Sequence, residues 1–199
     1  MFNLFGFATG VPEFWNWIIF PRGYQRDMHK DAKCWLSLPC TPADTAMNNW
    51  GGTADFDDPF DLSRFVRAQD GVYDEVLAEL RRGRKRSHWM WYIFPQLEGL
   101  GHSATSKRFA IKSQEEARRY LQHPVLGNRL KDCAETLLAA EGRSASEIFG
   151  FPDDMKLKSS MTLFASVSEP GSVFVRILDK YFHAERDGKT IALLESLEK

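Results

Sequence analysis

From Pro59 to the C-terminus, apolar residues recur three and four positions apart behind residues that start and stop helices, and they almost never alternate. That period commits the stretch to α-helix, because residues three and four apart share a helix face, whereas alternate residues share a strand face. Asp57 and Asp58 before Pro59 read as a helix start, with Leu62, Phe65, Val66 and Gln69 on one face. Gly71 breaks that helix. The next carries Val72, Tyr73, Val76, Leu77 and Leu80 and runs out in the basic stretch from Arg81 to Arg86. Ser87 stands where it would cap a short aromatic helix, His88 to Phe94, ended by Pro95. Ser113 with Glu116, and Ser144 with Glu147, match the capping box, in which a hydroxyl and a carboxylate three residues apart satisfy each other's backbone N–H groups. Between them Pro124 opens a longer helix with Val125, Leu126, Leu130, Cys133, Leu137 and Leu138, and Gly150 stops the short helix after Ser144. Asp153 or Asp154 is expected to cap a helix whose stripe is Leu157, Met161, Phe164, Ala165 and Ser168. Val173, Phe174, Ile177, Leu178, Tyr181 and Phe182 mark the penultimate helix, and Ile191, Leu194 and Leu197 the last. No Asn-Gly or Asp-Gly pair joins two alternating runs as a hairpin would. Residues 59–199 are therefore expected to form an all-α, single multi-helical globular domain, long enough to remove roughly two-thirds of its unfolded surface from water.

Residues 1–58 differ. They show no sustained period and end in the turn-rich run Asn48-Asn49-Trp50-Gly51-Gly52, yet they hold four of the six tryptophans, Trp15, Trp17, Trp35 and Trp50. They read as a largely irregular, aromatic-rich N-terminal extension, or as an arm whose aromatics dock on the domain or on a partner. Its apolar start lacks a basic leader and is interrupted by Gly6, Gly10, Pro12, Glu13 and Asn16, so it makes a poor signal peptide. Elsewhere no uncharged apolar run of about eighteen residues occurs, and no membrane association is expected. The three cysteines, Cys34, Cys40 and Cys133, form neither a CxxC pair nor a Cys/His ladder. A reducing cytoplasm is the expected compartment, and neither a structural metal nor a cofactor is indicated. A formal charge of −1 gives the chain no overall basic field for nucleic acid.

Chemistry concentrates in two clusters. The first, Arg84-Lys85-Arg86-Ser87-His88-Trp89-Met90-Trp91-Tyr92-Ile93-Phe94-Pro95-Gln96, joins cations, an imidazole, a hydroxyl, two indoles and an amide where one helix ends and another begins. Such a junction suits a phosphate or carboxylate. It equally suits structure, because basic residues complement a helix C-terminus and Trp89, Tyr92 and Ile93 make a buried stripe. His88 is the histidine within this cluster and the one placed to act as general acid or base. In the second cluster, Lys156, Ser159 and Ser160 share a helix face, with Lys158 and Thr162 on a neighbouring one. Hydroxyls gain nothing over alanine in a helix interior, so a polar task is one reading, with Ser159 as the nucleophile of a Ser-Lys pair. Close helix packing through small residues is the other. Gly99-Leu100-Gly101-His102-Ser103 reads as a weak anion-binding nest or an ordinary turn between helices. No nucleotide-binding glycine loop, HExxH or GxSxG string is present.

The first cluster, the string Tyr120-Leu121-Gln122-His123-Pro124-Val125-Leu126-Gly127, and the string Lys156-Leu157-Lys158-Ser159-Ser160-Met161-Thr162-Leu163-Phe164 together resemble the bacterial and fungal family known as domain of unknown function 1810. The resemblance spans roughly residues 60–195. It implies a single multi-helical domain and supplies no activity, cofactor or catalytic residue. Members are sometimes labelled calpastatin, but nothing here resembles the disordered repeats of that inhibitor.

A helical domain can bring these segments into one cleft. The expectation is a site lined by Ser87, His88, Trp91, Gln96, Ser103, Lys107, Lys156, Ser159 and Ser160, with Trp91 offering an aromatic face and Lys107 and Lys156 meeting negative charge. The function expected is binding of a small anionic ligand such as a nucleotide derivative; whether the domain is also an enzyme is left open, with His88 and Ser159 as the candidate catalytic residues. The alternatives are a nucleic-acid-binding module using the basic stretch 81–86, and an interaction protein with no pocket, in which Trp89 and Trp91 are both core.

Overall fold

The computed structural model describes residues 58–197, and the N-terminal extension, with Cys34, Cys40 and its four tryptophans, lies outside them. The described residues contain ten helices and no strand: α1 (Ser63–Gln69), α2 (Tyr73–Arg81), α3 (Met90–Ile93), α4 (Ala104–Arg108), α5 (Gln114–Gln122), α6 (Leu126–Ala139), α7 (Ala145–Phe149), α8 (Asp153–Ser166), α9 (Val173–Phe182) and α10 (Gly188–Leu197). The sole extended pairing among them is an isolated parallel bridge between Leu97 and Ile111. The all-α expectation holds, and the expected stripes meet in one core.

Helix α8 is the spine of that core. Leu157 and every residue from Ser159 to Ala165 are buried, so the helix is enclosed nearly all round, with α7, α9, α10 and α5 packed against it. Its neighbours bury a single stripe each: Phe174, Ile177 and Leu178 on α9, and Leu126, Leu130, Cys133, Ala134 and Leu137 on α6. Aromatic side chains tie the two ends of the core together. Phe65 meets Tyr120 edge-on at 5.0 Å between ring centroids, Tyr120 meets Phe164 at 5.4 Å, and Phe164 meets Phe174 at 5.6 Å. Helices α5 and α6 cross so closely at Gly127 that a Cβ there would stand 2.0 Å from the Leu121 carbonyl oxygen, which only glycine permits. Cys133 is a free thiol whose pKa burial pushes up to about 12, so it packs as a small hydrophobe.

The helix signals are read correctly in most places and corrected in others: neither Asp153 nor Asp154 caps α8, because Lys85 and Lys156 take the Asp153 carboxylate and Asp154 accepts only the adjacent Met155 N–H, and Ser168 lies beyond the helix end at Ser166. Ser113 accepts the Glu116 N–H, and the Ser144 and Glu147 capping box forms in full. The Asp58 carboxylate accepts the Leu62 and Ser63 N–H groups at 2.9 and 3.1 Å, so Pro59 precedes the first helix rather than lying in its first turn. Ser87 does not cap α3; its hydroxyl is drawn away to Glu79. Helix α6 is started by His123, whose Nδ1 accepts the Val125 and Leu126 N–H groups at 3.2 and 3.3 Å. On α10 the buried residues are Thr190 and Leu194, while Leu197 is exposed, because Thr190 is drawn inward by a hydroxyl network described below.

Candidate functional site

The loop from Arg82 to Trp89 is organised by a residue outside the expected site. Glu79, on the apolar face of α2 between Val76 and Leu80, is 3% exposed. Its carboxylate accepts the Arg86 N–H at 2.8 Å, the Ser87 N–H at 3.0 Å, the Ser87 hydroxyl at 2.8 Å and the Trp89 indole N–H at 2.8 Å. Burial by itself would raise its pKa, but the donors from Arg86, Trp89 and Ser87 outweigh it and hold the carboxyl below the usual range. Ser87 and Trp89 thus fix the loop. Trp89 is core, ringed by Phe94 and Phe149.

The two clusters of the sequence meet at Asp153. Lys85 turns inward between exposed arginines and sets its ammonium 2.7 Å from Asp153 Oδ2, while Lys156 reaches Oδ1 at 2.7 Å. Burial raises the pKa of Asp153, and hydrogen bonds and charge from Lys156 and Lys85 more than reverse that, so the carboxyl stays ionised to lower pH than usual. Lys156 also stands over the half-buried Trp91 ring, 4.7 Å from its centroid, so one indole face is already occupied by a cation. On the 96–110 side, Trp91, Gln96 and Lys107 line one small hollow with Gly101 and Ser106. Its volume is about 20 Å³, the space of a water molecule.

The remaining expected site residues go elsewhere. His88 is exposed on the loop. Ser103 caps α4 by accepting the Ser106 N–H at 3.0 Å. Ser159 is buried against α10, its hydroxyl 2.7 Å from that of Thr190, which donates to Asp187 at 2.6 Å. Thr162 continues this network by accepting the Asp187 N–H at 2.9 Å. Ser160 is fully buried, and its hydroxyl meets no hydrogen-bond partner. The structure therefore brings together Trp91, Gln96, Lys107 and Lys156, and it separates them from Ser159, whose partners belong to the α8 and α10 interface.

A roomier cleft opens on the other side of Lys107. It is lined by Pro59, Phe60, Asp61, Arg64, Arg67, Lys107, Arg108, Lys112 and Glu116 and holds about 350 Å³. Its floor is the buried pair Arg64 and Glu116, 2.5 Å apart. Arg64 spends all five of its N–H groups there: Nε on the Arg108 carbonyl, Nη1 on the Phe60 and Asp61 carbonyls, and Nη2 on the Ala110 carbonyl and Glu116. The other Glu116 oxygen accepts the Lys112 N–H at 2.7 Å. Arg67 makes a loose pair with Asp61 at 3.5 Å, both well exposed. Lys107, Arg108 and Lys112 are exposed, and among the described residues none has a carboxylate within ion-pair distance. Charge and shape here were hidden from the sequence, because the lining comes from two segments, 59–67 and 107–116, separated by the whole of α2 and α3.

The class these features define is an all-helical domain with buried ionic hubs beneath cationic surfaces. The chain belongs to the family described as protein of unknown function DUF1810, whose model matches residues 59–194. It is similar to a solved structure, the conserved hypothetical protein Rv1873 from Mycobacterium tuberculosis, at 55% identity over 69% of this chain and 99% of that one, with a TM-score of 0.68. No curated protein matches the chain. No helix among the described residues is long and apolar enough to cross a membrane.

Proposed function

We propose that this domain binds a small, multiply anionic molecule, such as a nucleotide derivative, in the cleft between the start of α1 and residues 107–112. One observation carries this reading: five cationic side chains and two carboxylates line a cleft of about 350 Å³. Arg64 and Glu116 neutralise each other and Arg67 is offset by Asp61, so Lys107, Arg108 and Lys112 remain to meet negative charge. The volume falls in the range of roughly 300–1,000 Å³ typical of small-molecule sites, whereas the hollow beside Trp91 does not. Pro59 and Phe60 supply an apolar edge for the uncharged part of the ligand. Lys107 lines both spaces.

The test is thermal unfolding of the full chain with ATP, pyrophosphate and citrate. A ligand at a hundred times its dissociation constant adds about 2.7 kcal/mol of stability. The triple variant Lys107→Ala/Arg108→Ala/Lys112→Ala is expected to lose that increment and Lys156→Ala to keep it. The reverse pattern would place the anion beside Trp91, and no increment from any of the three compounds would end the reading.

A further inference from the structure

The basic stretch after α2 takes no part in that cleft. Arg81, Arg82, Arg84 and Arg86 are all exposed, and among the described residues no carboxylate lies within ion-pair distance of any of them. Two segments remote in sequence are fastened to this stretch. Arg143, from the loop between α6 and α7, donates to the Gly83 carbonyl at 3.1 Å. It packs so tightly that a Cβ on Gly83, whose φ is +62°, would stand 2.8 Å from its Cδ. Lys85 holds the turn between α7 and α8 at both ends, its N–H on the Ile148 carbonyl at 2.7 Å and its ammonium on Asp153 at 2.7 Å. Within that turn stands Phe151, 86% exposed, with Met155 one helical turn further on and 47% exposed. Of the neighbouring carboxylates, Asp153 is neutralised by two lysines and Glu79 is buried beneath the loop, while Glu147 accepts from Ser144, Asp154 from the Met155 N–H, and Glu141 is exposed.

We propose that this surface binds single-stranded nucleic acid, with the guanidinium groups taking successive phosphates and the Phe151 ring stacking on a base. Guanidinium is the cation best matched to phosphate, through its planar fork of donors, and the four unpaired cations here, Arg81, Arg82, Arg84 and Arg86, are all arginine. An exposed aromatic ring beside a cationic track is how sequence-tolerant single-strand binding is built, because every base offers a π-face. A helix lying in a membrane interface would need a continuous apolar face, and this surface offers only Phe151 and Met155; attraction to anionic lipid by charge alone is what the vesicle measurement below separates.

Fluorescence anisotropy of the full chain against labelled single-stranded and duplex 20-mers, over a salt series, tests the proposal. Binding to the single strand at 50 mM salt is expected, weakening steeply as salt rises. Arg84→Ala/Arg86→Ala removes two exposed side chains and is expected to reduce the salt slope by roughly 1.4, at about 0.7 per phosphate contact on a single strand. Phe151→Ala is expected to weaken single-strand binding roughly tenfold with the slope unchanged, the size of one lost stacking contact. The proposal is overturned by absence of binding at 50 mM salt, by unchanged binding in both variants, or by equal affinity for the duplex. Uptake onto phosphatidylserine vesicles without oligonucleotide binding would assign the surface to a membrane instead. The cleft variant Lys107→Ala/Arg108→Ala/Lys112→Ala is expected to bind the oligonucleotide as the parent does, so this proposal and the small-ligand reading fail separately.

Discussion

Glu79 and Arg64 are both charged side chains shut inside the same helical domain, and they are satisfied in opposite ways. Arg64 sits opposite another charge, and its remaining donors go to backbone carbonyls of residues 60, 61, 108 and 110. Glu79 has no cation within ion-pair distance among the described residues and is held by neutral donors alone. The difference matters because each hub underlies one of the two cationic surfaces. The Arg64 pair is neutral, so it floors its cleft without opposing an incoming anion. Glu79 keeps its charge, but buries it under the loop and leaves the arginines above it unpaired. In both places the charge that shapes the fold is withdrawn from solvent, and the charge available to a ligand is carried by exposed side chains that take no part in the buried hub.

The largest expected effect separates the hubs at once. Arg64→Ala leaves Glu116 buried without its partner and four carbonyls without their donors, which costs about 3–5 kcal/mol of stability. Urea unfolding at pH 7 measures it, and a loss below about 1 kcal/mol would mean that the pair is not the keystone of the 60–116 region. Glu79→Ala strands the indole N–H of Trp89 in the core and frees the Arg86 and Ser87 donors to water, so a smaller loss of about 2–3 kcal/mol is expected in the same experiment. A larger loss than Arg64→Ala would reverse the ranking of paired over unpaired charge.

Most of the fold was legible because its signals are local. Period-3.6 stripes and hydroxyl caps act within a few residues, and Phe65, Leu80, Leu130, Leu157 and Phe174 are buried as their spacing requires. The hubs were less legible because a charged residue in an amphipathic helix reads as solvent-facing unless its register is checked. Glu79 lies three after Val76 and one before Leu80, on the buried face, and that register was the available signal. Asp153 carried a misleading one, since an aspartate in a first helical turn is also what a helix dipole attracts. Its role as the joint between Lys85 and Lys156 follows from tertiary placement, as do the pairing of Ser159 with Thr190 and the cleft around Lys107. Convergence of segments thirty or more residues apart leaves no trace in one sequence.

The finest expected effect concerns pH. Glu79 has a folded-state pKa below its ordinary value of 4.5, because the donors from Arg86, Trp89 and Ser87 favour the ionised form against the burial that opposes it. Between the two values the unfolded chain binds a proton that the folded chain does not, so the stability due to this group is complete above pH 4.5 and is lost as pH falls through the folded value. Asp153 and Asp58 follow the same sign, each also depressed in the folded state, so the parent protein alone would not isolate Glu79. Subtracting the stability of Glu79→Gln does, because the amide keeps the shape and one acceptor oxygen but does not titrate there. The gap between parent and variant is expected to stay level from pH 7 to about pH 5 and to narrow steadily below 4.5. A gap that stays constant or widens on acidification would show that the carboxylate gains nothing from its charge, and the contrast with the Arg64 pair would collapse into a difference of hydrogen-bond count.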